Sequence, residues 1–481
     1  MEKYSIIAFM LLQVKIKNLG KLTDADIRIG NFTVFAGKNS TGKSYVSKAL
    51  YSLFNAMNVN HVDAVLKRRL YHRLPQIRKM LSLLHRRGAA LKNTNDAIRG
   101  LTEAVEQITV RDDADEFDVI GEALPDIRKL LDVLEKDISS LKKKAEKGAS
   151  NYLRFVWDDE EGEFEKLISD LKHVKSMQPE DWVLEGIEYE IKQNLLQNFQ
   201  VSKLSYLHKA DNKPVHFNVP QMGGDISINN GNIAWNADKK GLHLMQKYSR
   251  VLYLESPIFW RLKNALDGVR LRSPMRLRPF MHRERALLLT GVPKYYYDMK
   301  DMFDVSYSGE HICPEVVEKL TGDQVLGGRV IVGETGNLFF QSNKGKKYLL
   351  RLAATGIANL GMLALLIEQN FLDKDTFLFI DEPEAHLHPA WQIEMAEALF
   401  ALSQKGVKVV IATHSMNIIK WVDVKAKKEF QRKKGAENHF SLNHFVGDKV
   451  EQKDDFFQQI GEIKEDLMEP YQDLFIEGMR E

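Results

Sequence analysis

The feature that most constrains this chain is a glycine-rich stretch that directly follows a short apolar run. Residues Gly37–Ser44 read GKNSTGKS and fit the pattern GxxxxGK followed by Ser or Thr. Gly37 and Gly42 allow the tight turns that point successive backbone N–H groups at a phosphate. Lys43 supplies a positive charge to the outer phosphates, and the hydroxyl of Ser44 can hold Mg²⁺. The stretch therefore predicts a nucleotide site.

The segments on either side of this loop fit the same interpretation. Thr33–Phe35 is β-branched and apolar and predicts a strand before the loop, whereas the apolar spacing of Tyr45–Asn55 predicts a helix after it. The N-terminal end of that helix also faces the phosphates. We predict that the nucleotide contacts Gly37, Lys38, Asn39, Ser40, Thr41, Gly42, Lys43, Ser44 and Tyr45.

A second motif follows in residues 376–389, which read TFLFIDEPEAHLHP. The continuous apolar run Phe377–Ile380 predicts a parallel strand that is buried on both faces. Two carboxylates follow where open α/β sheets bind their ligands. Asp381 is placed to hold Mg²⁺, directly or through water, and Glu382 is placed to orient or deprotonate the water that attacks the γ-phosphate. The alternative is that these acids cap the next helix, which is tenable for Glu384.

A third predicted strand, Val407–Ala412, ends in the sequence Thr-His-Ser. His414 in that sequence can reach a γ-phosphate from the carboxyl edge of the sheet, so a catalytic role is favoured over a structural one. His386 and His388 could suggest a metal pair. Pro389 breaks the helix there and no third ligand is evident, which favours a structural or interface role for the two histidines.

Composition narrows the class of protein. Apolar residues make up 44% of the 481 residues and charged residues 28%, as in soluble globular proteins with a sizeable core. The net charge of +2 excludes neither nucleic acid nor acidic partners. The single cysteine, Cys313, rules out an internal disulfide framework and predicts a buried thiol in a reducing compartment. No apolar run approaches the length of a membrane span, so we expect a cytoplasmic protein without a membrane contact.

The middle of the chain changes character to long, charged helical segments. Apolar residues in the stretch Ile120–Leu141 alternate four and three apart, which is the pattern of a coiled-coil seam, but over only about three heptads. Val62–Leu207 therefore predicts an α-helical insertion. Farther along, Pro214–Trp235 and Val330–Phe340 predict β-hairpins, and Val251–Leu254 predicts a short buried strand.

Two clusters of basic residues do not decide what kind of partner the chain binds. One lies within Lys67–Arg99 and the other within Arg270–Arg285. Each is compatible with a solvated helix face, with a track for a nucleic-acid backbone, or with an acidic protein partner. Without interleaved aromatic residues, nucleic acid is as compatible with the pattern as the other two.

Taken together, the sequences GKNSTGKS, FLFIDEPEAHLHP and ATHS resemble the ABC-type ATPase heads of the RecF, SMC and OLD lineage. The first two are especially similar to the OLD-like ATPases of bacterial phage defence. The resemblance implies a sandwich of two nucleotides between two protomers. It also implies Walker A at Gly37–Ser44, Walker B at Asp381, the catalytic glutamate at Glu382 and the switch histidine at His414. ATP and Mg²⁺ are the cofactors that it implies.

One part of the resemblance departs from the family pattern. The signature that touches the partner's γ-phosphate would fall on Thr355 and Gly356, where threonine replaces serine and Ile-Ala follows. The Q-loop glutamine has no clear position, and Gln200 and Gln221 are the candidates. The resemblance covers roughly residues 10–51 and 325–422 and leaves the middle of the chain unexplained.

Two functions from different classes are compatible with these observations. OLD nucleases continue into a Toprim nuclease domain, and residues 421–481 are too few for one. The chain thus resembles the stand-alone ATPase subunits of Septu-type and PARIS-type defence systems. The first function is a regulatory ATPase, as a homodimer of heads or a higher homo-oligomer, that controls a nuclease or toxin encoded nearby. The second is a RecF/SMC-like ATPase that repairs or tethers DNA. An ABC transporter subunit is disfavoured by the helical insertion.

The predicted architecture is an α/β, ABC-type ATPase head: a P-loop NTPase sheet with an antiparallel β subdomain and a coiled-coil-like helical insertion. The domain prediction assigns 1–61 to the first part of the head and 62–207 to the insertion. It assigns 208–345 to a β-rich part and 346–424 to the C-terminal part of the head. Residues 425–481 are predicted to form a charged helical tail.

Overall fold

A computed structural model defines most of the chain. It describes residues 11–71, 89–106, 108, 116–146, 165–209, 213–222, 224–229, 231–236, 246, 248, 250–255, 291–303, 311–333, 336–432 and 439–478. These residues form two compact units. One contains the described residues of Met1–Asn58, Asn194–Pro274 and Glu284–Glu481, and the other contains those of Val59–Gln193.

The strands are β1 Leu12–Leu19, β2 Leu22–Ile29, β3 Phe32–Ala36, β4 Val215–Val219, β5 Gly224–Asn229, β6 Asn232–Asn236, β7 Arg250–Leu254, β8 Gly328–Val332, β9 Leu338–Ser342, β10 Lys347–Leu349, β11 Thr376–Asp381, β12 Lys408–Thr413, β13 Phe440–Val446 and β14 Lys449–Glu451. The helices are α1 Lys43–Ala56, α2 His61–Leu66, α3 Ala89–Glu106, α4 Glu116–Glu146, α5 165–176, α6 Pro179–Phe199, α7 Lys294–Met302, α8 Pro314–Thr321, α9 Thr355–Glu368, α10 Pro389–Gln404, α11 Met416–Arg432 and α12 Phe456–Gly478.

The main sheet has eleven strands in the order β6-β5-β4-β1-β2-β14-β13-β3-β12-β11-β7. The strands β13, β3, β12, β11 and β7 are mutually parallel. On the other side, β2, β1, β4, β5 and β6 pair antiparallel. This confirms the predicted α/β fold, a parallel sheet extended by an antiparallel part.

The parallel strands have the burial that their sequences predict. Every residue of β3, β11 and β12 is buried. Helix α1 packs against β7, β11 and β12. The rings of Phe377 and Phe379 stack on each other, and the ring of Phe54 in α1 packs tilted against both. The continuous apolar run after Thr376 is thus a strand covered on both faces.

The two predicted hairpins are confirmed. Strands β4, β5 and β6 form consecutive antiparallel pairs in the main sheet. Strands β8 and β9 flank the turn that begins at Gly333, and with β10 they form a separate three-stranded sheet. Cys313 is buried, as predicted.

The prediction of a charged helical tail at 425–481 is wrong for the strands at Phe440–Val446 and Lys449–Glu451. Helix α11 ends at Arg432, and β13 then pairs in parallel with β3 in the middle of the main sheet. Strand β14 pairs with β13 and β2, and only α12 continues as a helix. The strands were not predicted because the sequence around them is charged. In addition, buried polar residues inside β13 interrupt its apolar pattern.

The helical unit confirms the seam in its longest helix. The seam residues of α4 whose side chains are described are all buried: Ile120, Leu124, Ile127, Leu131, Leu134 and Ile138. Helix α3 packs along α4 within this unit. The seam is therefore covered by this chain's own helices, as in an antiparallel helical pair.

The described part of the first basic cluster is partly neutralised by acids of its own unit. The guanidinium of Arg69 lies 2.6 Å from Glu185 Oε1 and 2.9 Å from Asp170 Oδ1. Arg99 lies 3.2 Å from Asp96. Residues 72–88 and the second cluster lie outside the described residues. Among the helices of the described residues, none combines the length and apolarity that a membrane crossing requires.

Candidate nucleotide site

Three neighbouring parallel strands bring the predicted site residues to one edge of the sheet. Strand β12 lies between β3 and β11, with Thr413 opposite Ala36 and Ala412 opposite Asp381. The loop that follows β3, the acids that follow β11 and the residue that follows β12 therefore share the carboxyl edge. This is where open α/β sheets bind ligands.

The loop between β3 and α1 has the backbone that its glycines predict. Gly42 has φ +98° and is the N-cap of α1. Gly37 has φ +149°, and a Cβ atom there would lie 2.4 Å from the carbonyl oxygen of Phe445 in β13. A side chain at Gly37 would therefore displace the neighbouring strand. Ser40, at the exposed tip of the loop, has φ +63°.

Lys43 is held inside this loop. Its Nζ donates hydrogen bonds to the carbonyl oxygens of Gly37, at 2.7 Å, and Lys38, at 2.6 Å. Burial lowers the pKa of Lys43, and the nearby carboxylates Asp381, Glu382 and Glu384 oppose that shift. The ammonium therefore lies inside the loop, and a bound phosphate would replace its two hydrogen bonds to carbonyl oxygens.

Ser44 and Asp381 form the candidate Mg²⁺ site. The Ser44 hydroxyl donates to Asp381 Oδ1 at 2.9 Å, and Tyr253 donates to Oδ2 at 3.4 Å. Burial raises the pKa of Asp381 to about 6, and the hydrogen bond from Ser44 opposes the shift. Oxygen donors from one hydroxyl and one carboxylate fit Mg²⁺, which keeps waters and few protein ligands. A cation would also favour the ionised carboxylate.

Glu382 and His414 meet at the same edge. His414 Nδ1 lies 3.4 Å from Glu382 Oε1, and both side chains are between two-fifths and one-half exposed. Glu382 has φ +51°, unusual for a non-glycine residue, and its N–H donates to Ala412 O at 2.8 Å. The backbone of β12 thus holds Glu382 in the turn that directs it away from the strand.

Glu384 does not cap helix α10, contrary to the alternative considered for it. The residue is buried, and its Oε1 accepts from Thr413 Oγ1 at 2.6 Å and from the His414 N–H at 3.0 Å. His388 is the N-cap instead, and its side chain accepts from the N–H of Ala390. Glu384 therefore fixes the end of β12 from which His414 projects.

Sequence reasoning missed Glu255, directly after β7. Its Oε1 lies 3.4 Å from Lys48 Nζ, and its Oε2 accepts a hydrogen bond from the Tyr295 hydroxyl. A small crevice places Glu255 together with Asp381 and Glu382. The acid follows an apolar strand, which is the signal that identified Asp381, but no flanking motif marked it. The glutamines considered for a Q-loop have other partners: Gln200 bonds Gly291 and Val292, and Gln221 bonds Leu11 and Gln13.

Two of the predicted nucleotide-contact residues, Lys38 and Tyr45, have side chains that contact other parts of the protein. Lys38 forms ion pairs with Glu469 and, at 3.1 Å, with Asp466, both in α12. The Tyr45 ring packs on Phe199, with 4.6 Å between the centroids, and burial raises the pKa of Tyr45 to about 12. For these two residues, a contact through the backbone N–H remains the prediction.

Thr355 and Gly356 begin helix α9, as the signature assignment requires. A Cβ atom at Gly356 would lie 2.8 Å from the carbonyl oxygen of His386. Asn359, one turn later, donates to the carbonyl oxygens of Pro383 and Ala385 at 3.2 and 3.1 Å. Helix α9 is thereby joined to the turn that carries Glu382 and Glu384, a link that the sequence did not reveal.

Comparisons with known proteins bear on the family of this chain. A family model described as AAA ATPase domain, AAA_15, matches residues 10–230 and 310–419. A stretch of 45 residues is 44% identical to the Old nuclease of Escherichia phage P2, and it spans 9% of this chain and 8% of that protein.

Solved structures with some likeness include heads of Smc proteins. A head domain with an extended coiled coil, from Pyrococcus furiosus and bound to the C-terminal domain of ScpA, is 12% identical with a TM-score of 0.38. That match covers 95% of this chain and 99% of the other. A head with a coiled coil and joint from Pyrococcus yayanosii is 12% identical with a TM-score of 0.32, at the same coverage of both chains.

The family model covers more than half of the chain, including the loop after β3 and the ends of β11 and β12. The chain therefore belongs to the AAA ATPase domain family and is an ATPase.

Proposed function

We propose that this chain is the ATP-binding and hydrolysing regulatory subunit of an anti-phage defence system, acting in the cytoplasm on a separate nuclease or toxin. The observation that carries the ATPase part is the convergence of Lys43, Asp381, Glu382 and His414 at one sheet edge. The defence part is supported by the short match to the Old nuclease of a phage.

Each residue at this edge has a proposed role in hydrolysis. The N–H groups of the loop from Gly37 to Tyr45 bind the phosphates, and Lys43 exchanges its carbonyl partners for phosphate oxygens. Glu382 orients and deprotonates the attacking water, and His414 senses the γ-phosphate beside it. Ser44 and Asp381 hold Mg²⁺, which when bound neutralises charge on the phosphate oxygens.

The proposed oligomer is a homodimer of heads in which Thr355 and Gly356 act on the partner's nucleotide. Support comes from their position at the N-terminus of the 14-residue helix α9, where the helix dipole favours an anion. The close approach of Gly356 to His386 makes any side chain there disruptive. Thr355→Val is therefore the better probe. Mixing Thr355→Val chains with Lys43→Ala chains should give more hydrolysis than the sum of the two alone, because one composite site per dimer is intact. Strict additivity would exclude action across the interface.

The alternative is a RecF/SMC-like ATPase that binds DNA directly. The basic cluster that begins at Lys67 favours it, and the ion pairs of Arg69 with Glu185 and Asp170 count against it. Reversing Arg69 would break those internal pairs. Arg68 is two-fifths exposed and has a longer contact, 3.5 Å, with Glu185, so it is the less disruptive residue to change in a DNA-binding assay.

Co-expression with the protein of the adjacent gene tests the regulatory role. Wild type and the exposed control Lys344→Ala should bind that protein and change its nuclease or toxic activity when ATP is added. Lys43→Ala should bind it without an ATP response, because the positive charge that holds the phosphates is missing. No complex with the neighbour, together with ATP-dependent binding of duplex DNA by the purified chain, would favour the alternative.

A further inference from the structure

A second cluster of ligand-type side chains lies apart from the proposed catalytic residues. It consists of His444 in β13, Glu451 in β14 and Glu462 in α12. One ligand atom of each residue lies within 4.8 Å of those of the other two. His444 and Glu451 are opposite each other in the β13–β14 hairpin, so the pairing of the strands fixes two of the three positions. Helix α12 packs against β13 and supplies the third.

His444 has the environment of a metal ligand. It is 3% exposed, and its Nε2 lies 3.2 Å from Asp466 Oδ2. Its Nδ1 is buried and has no hydrogen-bond partner among the described residues. A neutral imidazole that donates Nε2–H to a carboxylate has a lone pair on Nδ1. A carboxylate behind the histidine is the usual outer-shell arrangement of a metal-binding histidine.

The two glutamates can move to meet a cation. Glu451 is exposed and Glu462 is partly exposed. Glu462 lies 3.1 Å from Lys453 Nζ, a cation already present at the edge of the cluster. Donor atoms in a tetrahedral zinc site are about 3.3 Å apart, given bonds of about 2.0–2.1 Å. Closing the cluster thus needs side-chain shifts of at most about 1.5 Å.

We propose that His444, Glu451 and Glu462 bind a divalent transition-metal ion of the zinc or manganese class. One imidazole and two carboxylates suit these ions, whereas Mg²⁺ prefers oxygen ligands alone. Asp466 is the orienting partner of His444, and its other oxygen lies 3.1 Å from Lys38 Nζ in the phosphate-binding loop. The bound ion joins the hairpin to α12 directly beside that loop.

Calorimetric titration of the chelator-treated, nucleotide-free protein with zinc chloride, and separately with manganese chloride, tests the proposal. Wild type should bind one ion more than the double variant Glu451→Gln/Glu462→Gln, whose substitutions lie at accessible positions. Glu465→Gln, an exposed acid on the same helix outside the cluster, should bind like wild type. Equal stoichiometry and affinity in the double variant and wild type, for both metals, would overturn the site.

Three further variants separate ligation from general charge. Lys453→Met should tighten binding, because the lysine that competes for Glu462 is gone. Asp466→Asn should keep the stoichiometry and weaken affinity about 10-fold or more, as outer-shell changes do. His444→Asn, with its folding checked by thermal melting, should lose the additional ion. Retention of that ion at full affinity by a folded His444→Asn protein would also exclude the proposal.

Discussion

Strand β3 has one parallel neighbour on each side, and the two neighbours differ in where their polar residues are used. Opposite Phe35 lie Ala412 of β12 and Asn443 of β13, and opposite Ala36 lie Thr413 and His444. In β12 the interior is apolar, and the polar residues are at its two ends: Lys408 at the amino end and Thr413 at the carboxyl end, beside the proposed catalytic groups. In β13 the polar residues are inside the strand and buried.

The polar groups of β13 hold the sheet together. Asn443 Oδ1 accepts from the Arg28 N–H at 2.8 Å, and its Nδ2 donates to the Arg28 carbonyl at 2.8 Å. Gln452 donates to the same Oδ1 at 2.7 Å. Asn443 thus replaces backbone pairing between β13 and β2. By contrast, burial of Asp381 at the catalytic edge disfavours its ionised form, as its raised pKa indicates. Buried polar groups therefore stabilise the sheet at β13, whereas at the catalytic edge a buried polar group, Asp381, belongs to the proposed active site.

The largest predicted effect on stability is a gain, and it is expected when Asp381 at the catalytic edge is replaced. The pKa of Asp381 is raised to about 6, above its ordinary value of 3.8, so the folded state prefers the neutral acid. Stability from this group is complete below pH 4 and is lost as pH rises through about 6. Asp381→Asn should therefore stabilise the nucleotide-free protein by about 3 kcal/mol at pH 8 and about half of that at pH 5. Urea unfolding at both pH values measures the difference. A gain that does not depend on pH would contradict this cause.

For the buried polar residues of β13, we expect substitution to lower the stability of the protein. Asn443→Leu should destabilise the protein by about 1–3 kcal/mol, because the backbone N–H and carbonyl of Arg28 lose their hydrogen bonds to Asn443 between β2 and β13. The same urea measurement serves. Asn236→Leu, exposed on the edge strand β6, is the matched control and should change stability by less than about 0.5 kcal/mol. A neutral or stabilising Asn443→Leu would remove the contrast between the two strands.

The smallest effect is expected where the C-terminal helix meets the loop at the surface. Glu469→Gln removes an ion pair with Lys38 in which both partners are at least two-fifths exposed. Exposed pairs contribute little to stability and less in salt. The urea midpoint should stay within experimental error of wild type. A clear loss would mean that α12 secures the loop more firmly than its exposure indicates.

These contrasts explain how far the sequence could be interpreted. The loop, the acid strand and the histidine strand were predicted because their apolar runs end in residues with recognisable chemistry. Strand β13 was missed because Ser441, Asn443 and His444 interrupt its apolar pattern, and their partners are distant in sequence. Glu255 and Asn359 were missed for the same reason: their contacts depend on tertiary structure, with no local motif to mark them.

The measurement that tests the central claim most directly is single-turnover hydrolysis of ATP by Glu382→Gln. The amide keeps the size of the side chain and removes the base. We expect hydrolysis to slow by about 10²- to 10⁴-fold, with ATP affinity in the presence of Mg²⁺ close to that of wild type. Glu368→Gln, an acid on α9 that pairs with Arg329 away from the site, should hydrolyse ATP at the wild-type rate. Wild-type hydrolysis by Glu382→Gln would contradict the account, because the sheet edge would then perform its chemistry without the residue proposed to activate water.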